Sequence, residues 1–524
     1  MSDLSVVVLA AGLGTRMKSS QAKVLHRIAG RPMIEYPIAI ARGLGAARVI
    51  AVLGHQLAAV QEAIDRRFGA GAVEVAEQAE QRGTGHAVMQ AASRLGAGDS
   101  DGVCLILCGD VPLLTEATLR ALLAAAGPAR TALLTFRPAS PQGYGRIVRD
   151  ARGAFMKIIE EKDASDYQRK IDEVNAGVYC VPRRFLLSAL SSLQPNNAQG
   201  ELYLTDVVEQ AARAMDVVTI PCSADEVMGI NDRVDLARAD RLMRLRIAER
   251  HQRAGVTIAA PETVTIEPDV ELGADVELGA GVELRGRTRI GARTRLDAGV
   301  LVTDSTLGAD VYVKAYCVVA ESTVADKAIL GPWAHLRPGT VLDEGVHLGN
   351  FGETKKTRLG KGSKANHLSY LGDADIGAGV NIGCGTITCN YDGYEKHKTT
   401  IGDRVFVGSD TQLVAPVTVG AGAIIGAGTT VYEDVPADAL ALTRVRQVAV
   451  PGWAAWKRAS VEAARAGRPA PPRPARPAAP PVALGSGARV PPRAVPKSSQ
   501  KKTRTRAPKK TKKPKPRKAA RRRS

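Results

Sequence analysis

Aliphatic residues recur at every sixth position through much of the second half of this chain of 524 residues. A period of six fits neither an α-helix nor the simple alternation of a strand, and it is typical of hexapeptide repeats that wind into a β-helix. Each inward side chain is then expected to stack on the coil below, so the repeat predicts a narrow, continuous core. The recurring positions are Ile266, Leu272, Leu278, Leu284, Ile290, Leu296 and Val302, then Leu330, Leu336, Leu342 and Leu348, then Ile376 and Ile382, and finally Ile401, Val407, Leu413, Val419, Ile425 and Val431.

The phase of this repeat slips in two segments. Residues 349–375 read "GNFGETKKTRLGKGSKANHLSYLGDAD", and residues 389–400 read "CNYDGYEKHKTT". A solenoid gains no stability from His, Tyr and Lys where its repeat fails, and irregular charged segments on a rigid scaffold are where function is expected. We therefore predict a functional site in these two irregular segments, with a plain surface loop as the alternative.

The first 230 residues follow a different pattern. Apolar runs such as "ARVIAVLG" and "GVCLILCGD" alternate with helix-like segments such as "EATLRALLAAAG". This alternation predicts a mostly parallel α/β sheet whose ligands lie beyond the carboxyl ends of the strands. The helix-forming stretch 231–254 ends before Gly255, so it is expected to link the two halves of the chain.

The segment "LAAGLGTRM", residues 9–17, directly follows the apolar run "LSVVV". Gly12 and Gly14, with Arg16 beside them, suit an anion, because turns without side chains let backbone N–H groups approach phosphate oxygens. The segment lacks the third glycine of a dinucleotide fingerprint and the Gly-Lys-Ser/Thr of a Walker loop. It is therefore either a phosphate-binding turn of another kind or a plain strand-to-helix turn.

Positive charge is concentrated at the carboxyl end of the chain. Residues 457–524 contain 23 Lys and Arg and one acid, Glu462, which leaves 49 bases and 52 acids in the rest. This tail is rich in Pro and Ala and cannot bury enough apolar surface to offset its ordering entropy, so we predict that it is disordered. It is either a solvated extension or a tether that binds polyanions without specificity.

Seven cysteines are scattered along the chain without the paired spacing of a metal site. Their odd number and distribution predict structural thiols in a reducing cytoplasm. The amino terminus has no basic region and no apolar run reaches about 18 residues, so neither secretion nor a membrane span is expected. The cysteines are Cys104, Cys108, Cys180, Cys222, Cys317, Cys384 and Cys389.

Several motifs, in order along the chain, resemble a known family. The segments "LAAGLGTRMKSSQAKVLHRIAGRPMI", "AEQRGTGHAV", "CGDVPLL", "GYGRIV", "IIEEKDA", "NAGVY" and "GINDR" are similar to sugar-1-phosphate nucleotidyltransferases of the pyrophosphorylase type. Together with "HLRPGT", "GNFGETKKTRLGKGSKANHLSYLGDADIG", "NIGCGTITCNYDG" and "VFVGSDTQLVAPV", they make residues 4–453 resemble the bifunctional N-acetylglucosamine-1-phosphate uridylyltransferase/glucosamine-1-phosphate N-acetyltransferase family.

The sequence patterns and the resemblance together predict an α/β architecture in four parts, of which the resemblance covers the first three and composition predicts the tail. These are a Rossmann-like uridylyltransferase domain at 1–230, a linker helix at 231–254, a left-handed parallel β-helix acetyltransferase domain at 255–456 and a disordered basic tail at 457–524. The implied reactions are acetyl transfer from acetyl-CoA to glucosamine-1-phosphate, then uridylyl transfer from UTP to N-acetylglucosamine-1-phosphate with release of pyrophosphate. The resemblance also implies a homotrimer that builds each acetyltransferase site between subunits.

For uridylyl transfer, the resemblance implies one site in the first domain. Two cations in it would neutralise the triphosphate, since nucleotidyl transfer depends on positioning and charge stabilisation. Mg²⁺ is the implied cofactor, a cation that prefers oxygen donors. The implied nucleotide- and sugar-binding residues are Leu9, Ala10, Ala11, Gly12, Gly14, Arg16, Lys23, Gln78, Gly83, Thr84, Gly145, Glu160, Asn175 and Asn231, and the implied metal ligands are Asp110 and Asn231.

For acetyl transfer, the attacking amine must lose a proton, and histidine changes its charge near neutral pH. His367 in "NHLSY" is therefore the predicted base, although an isolated histidine is more often structural. Ser409 is a candidate for polarising the thioester. The implied acceptor-binding residues are Arg337, Lys355, Tyr370, Asn381 and Lys396, and the implied acetyl-CoA-binding residues are Cys384, Asn390, Tyr391, Ser409, Ala427 and Arg444.

Three residues depart from the family pattern. Cys384 stands where the family commonly has Ala, and Cys108 precedes Gly-Asp where another residue is usual, so neither thiol is assigned a catalytic role. Arg446 replaces a usual proline beside the predicted cofactor loop.

Two other functions compete with this one. A nucleotidyltransferase with a non-catalytic β-helix would have no reason to combine His367, Tyr370 and the "CNYDG" loop. A nucleic-acid-binding protein defined by the tail would lack aromatic residues there for base stacking, so its binding would be electrostatic and unspecific.

Overall fold

The computed structural model describes residues 3–96, 102–443 and 447–475. The chain separates into two compact units, Met1–Arg444 and Val445–Ser524. The first unit contains an α/β sheet, a long helix and a β-helix. Within the described ranges, no helix is both long enough and apolar enough to cross a membrane.

The amino-terminal sheet is mostly parallel, which confirms the prediction from alternating apolar and helical segments. Strand Leu4–Ala10 lies between Arg48–Leu53 and Val103–Cys108 and runs parallel to both. Strand Val174–Pro182 is antiparallel to its neighbours Val103–Cys108 and Arg130–Phe136. The strand order is Asp216–Pro221, Arg130–Phe136, Val174–Pro182, Val103–Cys108, Leu4–Ala10, Arg48–Leu53 and Glu74–Glu77, with Arg146–Arg149 beside Val174–Pro182 and Phe155–Ile159 beside Arg146–Arg149.

Helices cover both faces of this sheet because successive strand side chains point to opposite faces. Val6 and Val8 belong to the core on one face, whereas Val7 belongs to the core on the other. Leu9 pairs in register with Cys108, so two parallel strands end together where the glycine turn begins. The helices are Glu35–Gly43, Leu57–Phe68, Thr84–Leu95, Glu116–Ala125, Arg183–Ser191 and Leu204–Ala214, the single 3₁₀ turns are Thr15–Met17, Lys23–Leu25 and Gln168–Lys170, and Arg27–Ile28 pairs with Arg31–Pro32.

Helix Arg233–Arg253 connects the sheet to the β-helix, as expected of the linker stretch. Asp232 caps it, since its carboxylate accepts hydrogen bonds from two backbone N–H groups of the first turn. Buried residues of this helix join the hydrophobic core of the β-helix. Arg31 and Arg67, from the α/β domain, each form an ion pair of 2.8 Å with Asp269 in an early coil. The two domains are therefore joined by packing and by charge.

Short parallel strands between Thr257 and Ala441 form the β-helix. Its strands lie in three stacks, and the predicted six-residue positions face inward: all except Leu272 are at most 4% exposed. The last strand, Leu440–Ala441, ends before the predicted boundary at residue 456. The first stack is Thr257–Ile258, Glu277–Leu278, Arg295–Leu296, Tyr312–Val313, Ile329–Leu330, His347–Lys355, Lys364–Gly372, Asn381–Ile382, Phe406–Val407, Ile424–Ile425 and Leu440–Ala441. The second stack shares the two long strands His347–Lys355 and Lys364–Gly372 and also contains Thr265–Ile266, Glu283–Arg285, Leu301–Thr303, Val318–Ala320, His335–Leu336, Ile387–Cys389, Gln412–Val414 and Thr430–Val431. The third stack is Glu271–Leu272, Arg289–Ile290, Thr306–Leu307, Thr323–Val324, Val341–Leu342, Arg358–Leu359, Ala374–Ile376, Thr399–Ile401 and Val417–Val419.

The prediction of an irregular segment at 349–375 is wrong in its local structure. Most of it lies in two nine-residue strands, His347–Lys355 and Lys364–Gly372, which pair in parallel. The first of them pairs with both Ile329–Leu330 and His335–Leu336, so it continues through a corner where the earlier coils turn. Within each long strand the buried positions keep the spacing of six, from Leu348 to Thr354 and from Ala365 to Leu371, and the interval shortens to five in the step that follows each strand.

The second unit contains helix Trp453–Arg465, so the prediction of disorder is wrong for residues 457–465. Trp456 donates a hydrogen bond from Nε1, at 2.8 Å, to a backbone carbonyl of the following proline-rich segment. The guanidinium of Arg473 lies over the Trp456 ring. The composition of the whole tail hid this helix, although its Ala-rich stretch favours helix formation. The rest of the predicted tail, 476–524, lies outside the described residues.

Two candidate active sites

The two glycines of the turn at the end of the first strand differ in the space around them. Gly14 has a φ of +64°, and a Cβ on it would lie 2.5 Å from the Cβ of Lys23. A larger residue there would therefore displace Lys23. A Cβ on Gly12, in contrast, would have none of the described atoms within 4 Å. Gly12 thus borders open space in which a ligand can approach the backbone.

Four predicted residues from distant parts of the chain meet beside this turn. Lys23 forms an ion pair through Nζ with Oδ2 of Asp110 at 2.6 Å. Arg16 donates a hydrogen bond from Nη2 to Oδ1 of Asn231 at 2.9 Å, and Lys23 Nζ lies 3.4 Å from the same oxygen. Two cationic side chains and two oxygen donors therefore share one location.

A cavity of about 330 Å³ opens next to this cluster. Gln78 lies on its wall, is 4% exposed, and donates a hydrogen bond to the Gly83 carbonyl at 3.2 Å. Gln81 donates to the Ala11 carbonyl at 2.6 Å, so it braces the glycine turn. Gln81 lies within the motif "AEQRGTGHAV", but the sequence interpretation assigned it no role. The cavity is lined by Leu9, Ala11, Gly12, Gln78, Gln81, Gly83, Thr84, Ala87, Cys108, Asp110 and Glu201.

The three residues predicted to hold the sugar also lie together. Asn175 donates its backbone N–H to the Gly145 carbonyl at 2.9 Å, and a Cβ on Gly145 would lie 3.5 Å from Oε2 of Glu160. Burial raises the pKa of Glu160, and Thr205 donates a hydrogen bond to its carboxylate at 3.2 Å. Thr205 was missed by the sequence interpretation. These contacts provide backbone and carboxylate groups suited to recognising sugar hydroxyls and an amide.

Cys108 connects the three predicted sugar-binding residues to the cavity. Its Sγ lies 3.6 Å from the Gly177 carbonyl, and the Gly177 N–H donates to the Asn175 side chain at 3.0 Å. Burial raises the pKa of Cys108 to about 12, so the thiol stays protonated. This is consistent with assigning no catalytic role to it.

In the β-helix, four predicted residues occupy one corner of successive coils. The N–H of Gly385 donates to the Leu368 carbonyl at 2.9 Å, so Cys384 stacks over His367. The carbonyls of Cys384 and Ser409 accept from the next coils at 2.7 Å and 2.8 Å, which continues the stack to Ala427. We call His367, Cys384, Ser409 and Ala427 the corner column. All four side chains are exposed, so an extended ligand can lie along them.

The predicted acceptor residues lie on neighbouring coils. Arg337 forms an ion pair with Glu353 at 2.9 Å. Lys355 lies beside Lys396 and is the main cause of a lowered pKa of Lys396, because a neighbouring cation disfavours the charged form of the Lys396 ammonium. Tyr370 pairs in register with Glu353. The cluster is thus rich in cations, as a site for a phosphate should be.

The remaining predicted residues of this site differ in what surrounds them. Asn381 starts a strand whose register partner is Lys364, three residues before His367. Asn390 is buried, whereas Tyr391 is 60% exposed and donates its hydroxyl hydrogen to the Gly393 carbonyl. Arg444 and the departure at Arg446 lie outside the described residues.

Sequence reasoning missed two acids in this site. Glu353 pairs with Arg337, and Asp373 accepts a hydrogen bond from Nδ2 of Asn390 at 2.5 Å. Both lie in the segment where the six-residue repeat fails, and that signal could have identified them.

Two parts of the chain match different family models. Residues 6–219 match the MobA-like NTP transferase domain, and residues 398–433 match the bacterial transferase hexapeptide (six repeats). These matches define a transferase that joins a nucleotidyltransferase domain to a hexapeptide-repeat transferase domain.

Similar proteins extend this likeness over nearly the whole chain. A bifunctional protein GlmU of Trichlorobacter lovleyi is 52% identical over 463 residues, 87% of this chain and 99% of that protein. One of Geobacter sulfurreducens is 49% identical over 479 residues, 87% of this chain and 100% of that protein. One of Anaeromyxobacter sp. (strain Fw109-5) is 52% identical over 461 residues, 88% of this chain and 94% of that protein. The chain belongs to the family of bifunctional GlmU proteins.

Its function follows from that membership, as the motifs predicted. It is a bifunctional enzyme of UDP-N-acetylglucosamine synthesis, with acetyltransferase and uridylyltransferase activities.

Proposed function

We propose that residues 1–230 carry out uridylyl transfer and residues 255–456 carry out acetyl transfer, joined by the linker helix 231–254. The main support is that the residues predicted for each reaction cluster separately, around Lys23 and Asp110 in one half and around His367 in the other. Two separate assays test this: pyrophosphate release from UTP and N-acetylglucosamine-1-phosphate, and acetyl-CoA consumption with glucosamine-1-phosphate. If the protein consumed no acetyl-CoA, the β-helix would be a scaffold.

In the first site, a phosphate oxygen of N-acetylglucosamine-1-phosphate attacks the α-phosphorus of UTP. The bond to the β-phosphate breaks, and pyrophosphate leaves. Arg16 and Lys23 stabilise the charge that develops, and the turn from Leu9 to Gly14 receives the triphosphate. Gln78, Gly83 and Thr84 read uracil, and Gly145, Glu160 and Asn175 hold the sugar.

Mg²⁺ is the cofactor that fits this site best. Asp110 and Asn231 offer two oxygen donors, and the Lys23 ammonium lies 2.6 Å and 3.4 Å from them, so both oxygens accept a cation between them. Among the described residues no group of three or more His, Cys, Asp or Glu is arranged to hold a metal, which suits an ion held largely by substrate phosphates. When bound, the ion would neutralise phosphate charge.

In the second site, His367 takes a proton from the amine of glucosamine-1-phosphate. The amine nitrogen then bonds to the thioester carbon of acetyl-CoA, the C–S bond breaks, and coenzyme A leaves and takes up a proton. Arg337, Lys355 and Lys396 bind the acceptor's phosphate, while Tyr370 and Asn381 hydrogen-bond its sugar.

Acetyl-CoA extends along the corner column. Ser409 donates a hydrogen bond to the thioester oxygen as negative charge develops there. Cys384, Ala427, Asn390, Tyr391 and Arg444 complete the cofactor site. The stack of Cys384, Ser409 and Ala427 over the predicted base supports this assignment.

A homotrimer completes the acetyltransferase site. Tyr316, Trp333 and Phe351, here called the aromatic ridge, stack with ring centroids 5.6 Å and 5.8 Å apart. They are 53%, 51% and 55% exposed, and such a continuous apolar strip favours contact with another protein surface. Leu368, beside His367, extends the ridge to the base and is 61% exposed.

Trp333→Glu is expected to convert the trimer to a monomer, because a charge in the centre of the ridge opposes burial. Its mass by sedimentation equilibrium should fall to one chain, and acetyl transfer should fall with it, while uridylyl transfer persists. Tyr167→Glu, at an aromatic residue that is 80% exposed in the first domain, is the matched control. A Trp333→Glu trimer with the parent acetyl transfer rate would contradict the proposal.

The free cysteines support a cytoplasmic location.

The basic tail binds polyanions without specificity and takes no part in either reaction. Residues 476–524 contain 18 Lys and Arg and no acid. Truncation after Ala475, which keeps the carboxyl-terminal helix, should leave both activities unchanged and remove salt-sensitive retention on heparin. A full-length chain with those 18 bases replaced by Gln is the control for length. Loss of either activity in the truncated trimer would contradict the proposal that the tail takes no part in the reactions.

A further inference from the structure

We propose that Asp373 is a positioning residue for acetyl transfer: its carboxylate holds the Lys355 ammonium and the Asn390 amide where the acceptor's phosphate and acetyl-CoA meet. This inference rests on the proposed acceptor site and adds to it a residue that touches neither substrate.

The carboxylate of Asp373 lies between the two halves of that site. Its Oδ2 accepts a hydrogen bond from Asn390 Nδ2 at 2.5 Å and lies 4.0 Å from Nζ of Lys355. The side chains of Lys355 and Asp373 are 16% and 18% exposed, so water screens their attraction only in part. One oxygen therefore orients a residue assigned to the phosphate and a residue assigned to acetyl-CoA.

The backbone of Asp373 is fixed on both sides. Its N–H donates to the Lys355 carbonyl at 2.9 Å, and its carbonyl accepts from the Thr399 N–H at 3.1 Å. Its φ of +48° is a left-handed conformation, which Asp tolerates better than most residues. Asp373 thus joins the coil that carries Lys355 to the strand that follows the Lys396 loop.

The space around this carboxylate is filled by the other site residues. A Cβ on Gly372 would lie 2.5 Å from the Tyr370 hydroxyl and 2.8 Å from Asn390 Nδ2. Tyr370 and Asn390 therefore pack directly against the backbone next to Asp373, and a displaced Asn390 amide would disturb Tyr370.

Charge gives Asp373 a second role in the same cluster. The groups that act on the Lys396 ammonium are Lys355, which lowers its pKa, and Asp373 and Tyr370, which act in the opposite direction. Without the carboxylate, Lys396 would lose its proton at a lower pH. Its positive charge, which the phosphate needs, would then be lost earlier as the pH rises.

Asp373→Asn tests this because it removes the charge and keeps the shape. We expect the KM for glucosamine-1-phosphate to rise about 10-fold, the range for a lost charged hydrogen-bond partner, with kcat within about 3-fold of the parent. The alkaline limb of kcat/KM should move to lower pH. Titration of the substrate's own amine is common to all variants and does not contribute to the difference.

Asp375→Asn is the matched control, since this acid lies two residues along and pairs with the exposed Lys398 at 3.2 Å. Asp373→Glu, which keeps the charge, should restore the alkaline limb while KM stays raised. Asp373→Glu also tests the proposal if Asp373→Asn does not fold. Loss of trimer mass would reveal that failure to fold. A parent KM in either variant, or equal shifts in Asp375→Asn, would overturn the proposal.

Lys355→Ala and Lys396→Ala separate this inference from the proposed function. If both keep the parent KM for glucosamine-1-phosphate, the acceptor site itself is misassigned. If both raise KM and Asp373→Asn does not, the acceptor site stands and only the positioning role fails. A fall in kcat with unchanged KM and pH profile in Asp373→Asn would indicate a structural role and also overturn the proposal.

Discussion

Replacing His367 by alanine is expected to lower acetyl transfer by about 10²- to 10⁴-fold, the usual contribution of a positioned base, and to leave uridylyl transfer at the parent rate. His367 lies in register with Asn350 on the long strand and begins the corner column. Its side chain is exposed, so its removal leaves no cavity and should not destabilise the fold. The measurement is acetyl-CoA consumption with glucosamine-1-phosphate, run beside pyrophosphate release from UTP.

His335→Ala is the control for this experiment, because it removes another exposed histidine of the same β-helix. The His367 variant should also keep the parent mass in solution, which separates loss of the base from loss of assembly. Normal acetylation by that variant would mean that another residue is the base.

Replacing Asp110 by alanine is expected to have the opposite selectivity. Uridylyl transfer should fall by at least about 10²- to 10³-fold, because the phosphates lose a metal ligand and Lys23 loses its partner at 2.6 Å. Acetyl transfer should be unchanged, since the acid belongs to the first domain. Binding of Mn²⁺ in the presence of UTP, followed by electron paramagnetic resonance, should weaken in parallel.

Asp225→Ala is the matched control for Asp110, because Asp225 is a half-exposed acid of the same domain that pairs with Arg238. Chelation of divalent ions should reproduce the Asp110 result and stop only uridylyl transfer. An Asp110→Ala protein that makes UDP-N-acetylglucosamine at near the parent rate would end the metal assignment.

The parts of the fold that could be predicted are those in which one local rule repeats. The six-residue spacing identified inward residues such as Val302 and Leu348 because every coil buries the same position. The strand "VCLILCGD" was recognisable because both of its faces are buried, which also located Asp110 at its carboxyl end. Repetition and burial are visible in sequence without knowledge of distant contacts.

The parts that could not be predicted depend on contacts between distant segments. Asp373 meets Asn390 because the two residues lie one coil of 17 residues apart, an interval that the sequence interpretation did not use. Gln81 braces the Ala11 carbonyl from 70 residues away. Helix Trp453–Arg465 was hidden because the average composition of a long tail outweighed one short helical stretch. The meeting of Arg16 with Asn231, 215 residues apart, was accessible only through resemblance to a family.

The corner column has a consequence for how the acetyltransferase site could change. His367, Cys384 and Ser409 lie on consecutive coils, so two interstrand spacings, or about 10 Å, separate the base from the hydroxyl assigned to the thioester. Backbone hydrogen bonds fix that interval, and a side-chain substitution cannot lengthen it. Inserting a whole coil would add about 5 Å at once, whereas coils of 17, 18 and 25 residues already stack in register, so a residue added in a turn leaves that interval unchanged. The distance between the base and the hydroxyl assigned to the thioester can therefore change only in steps of one coil.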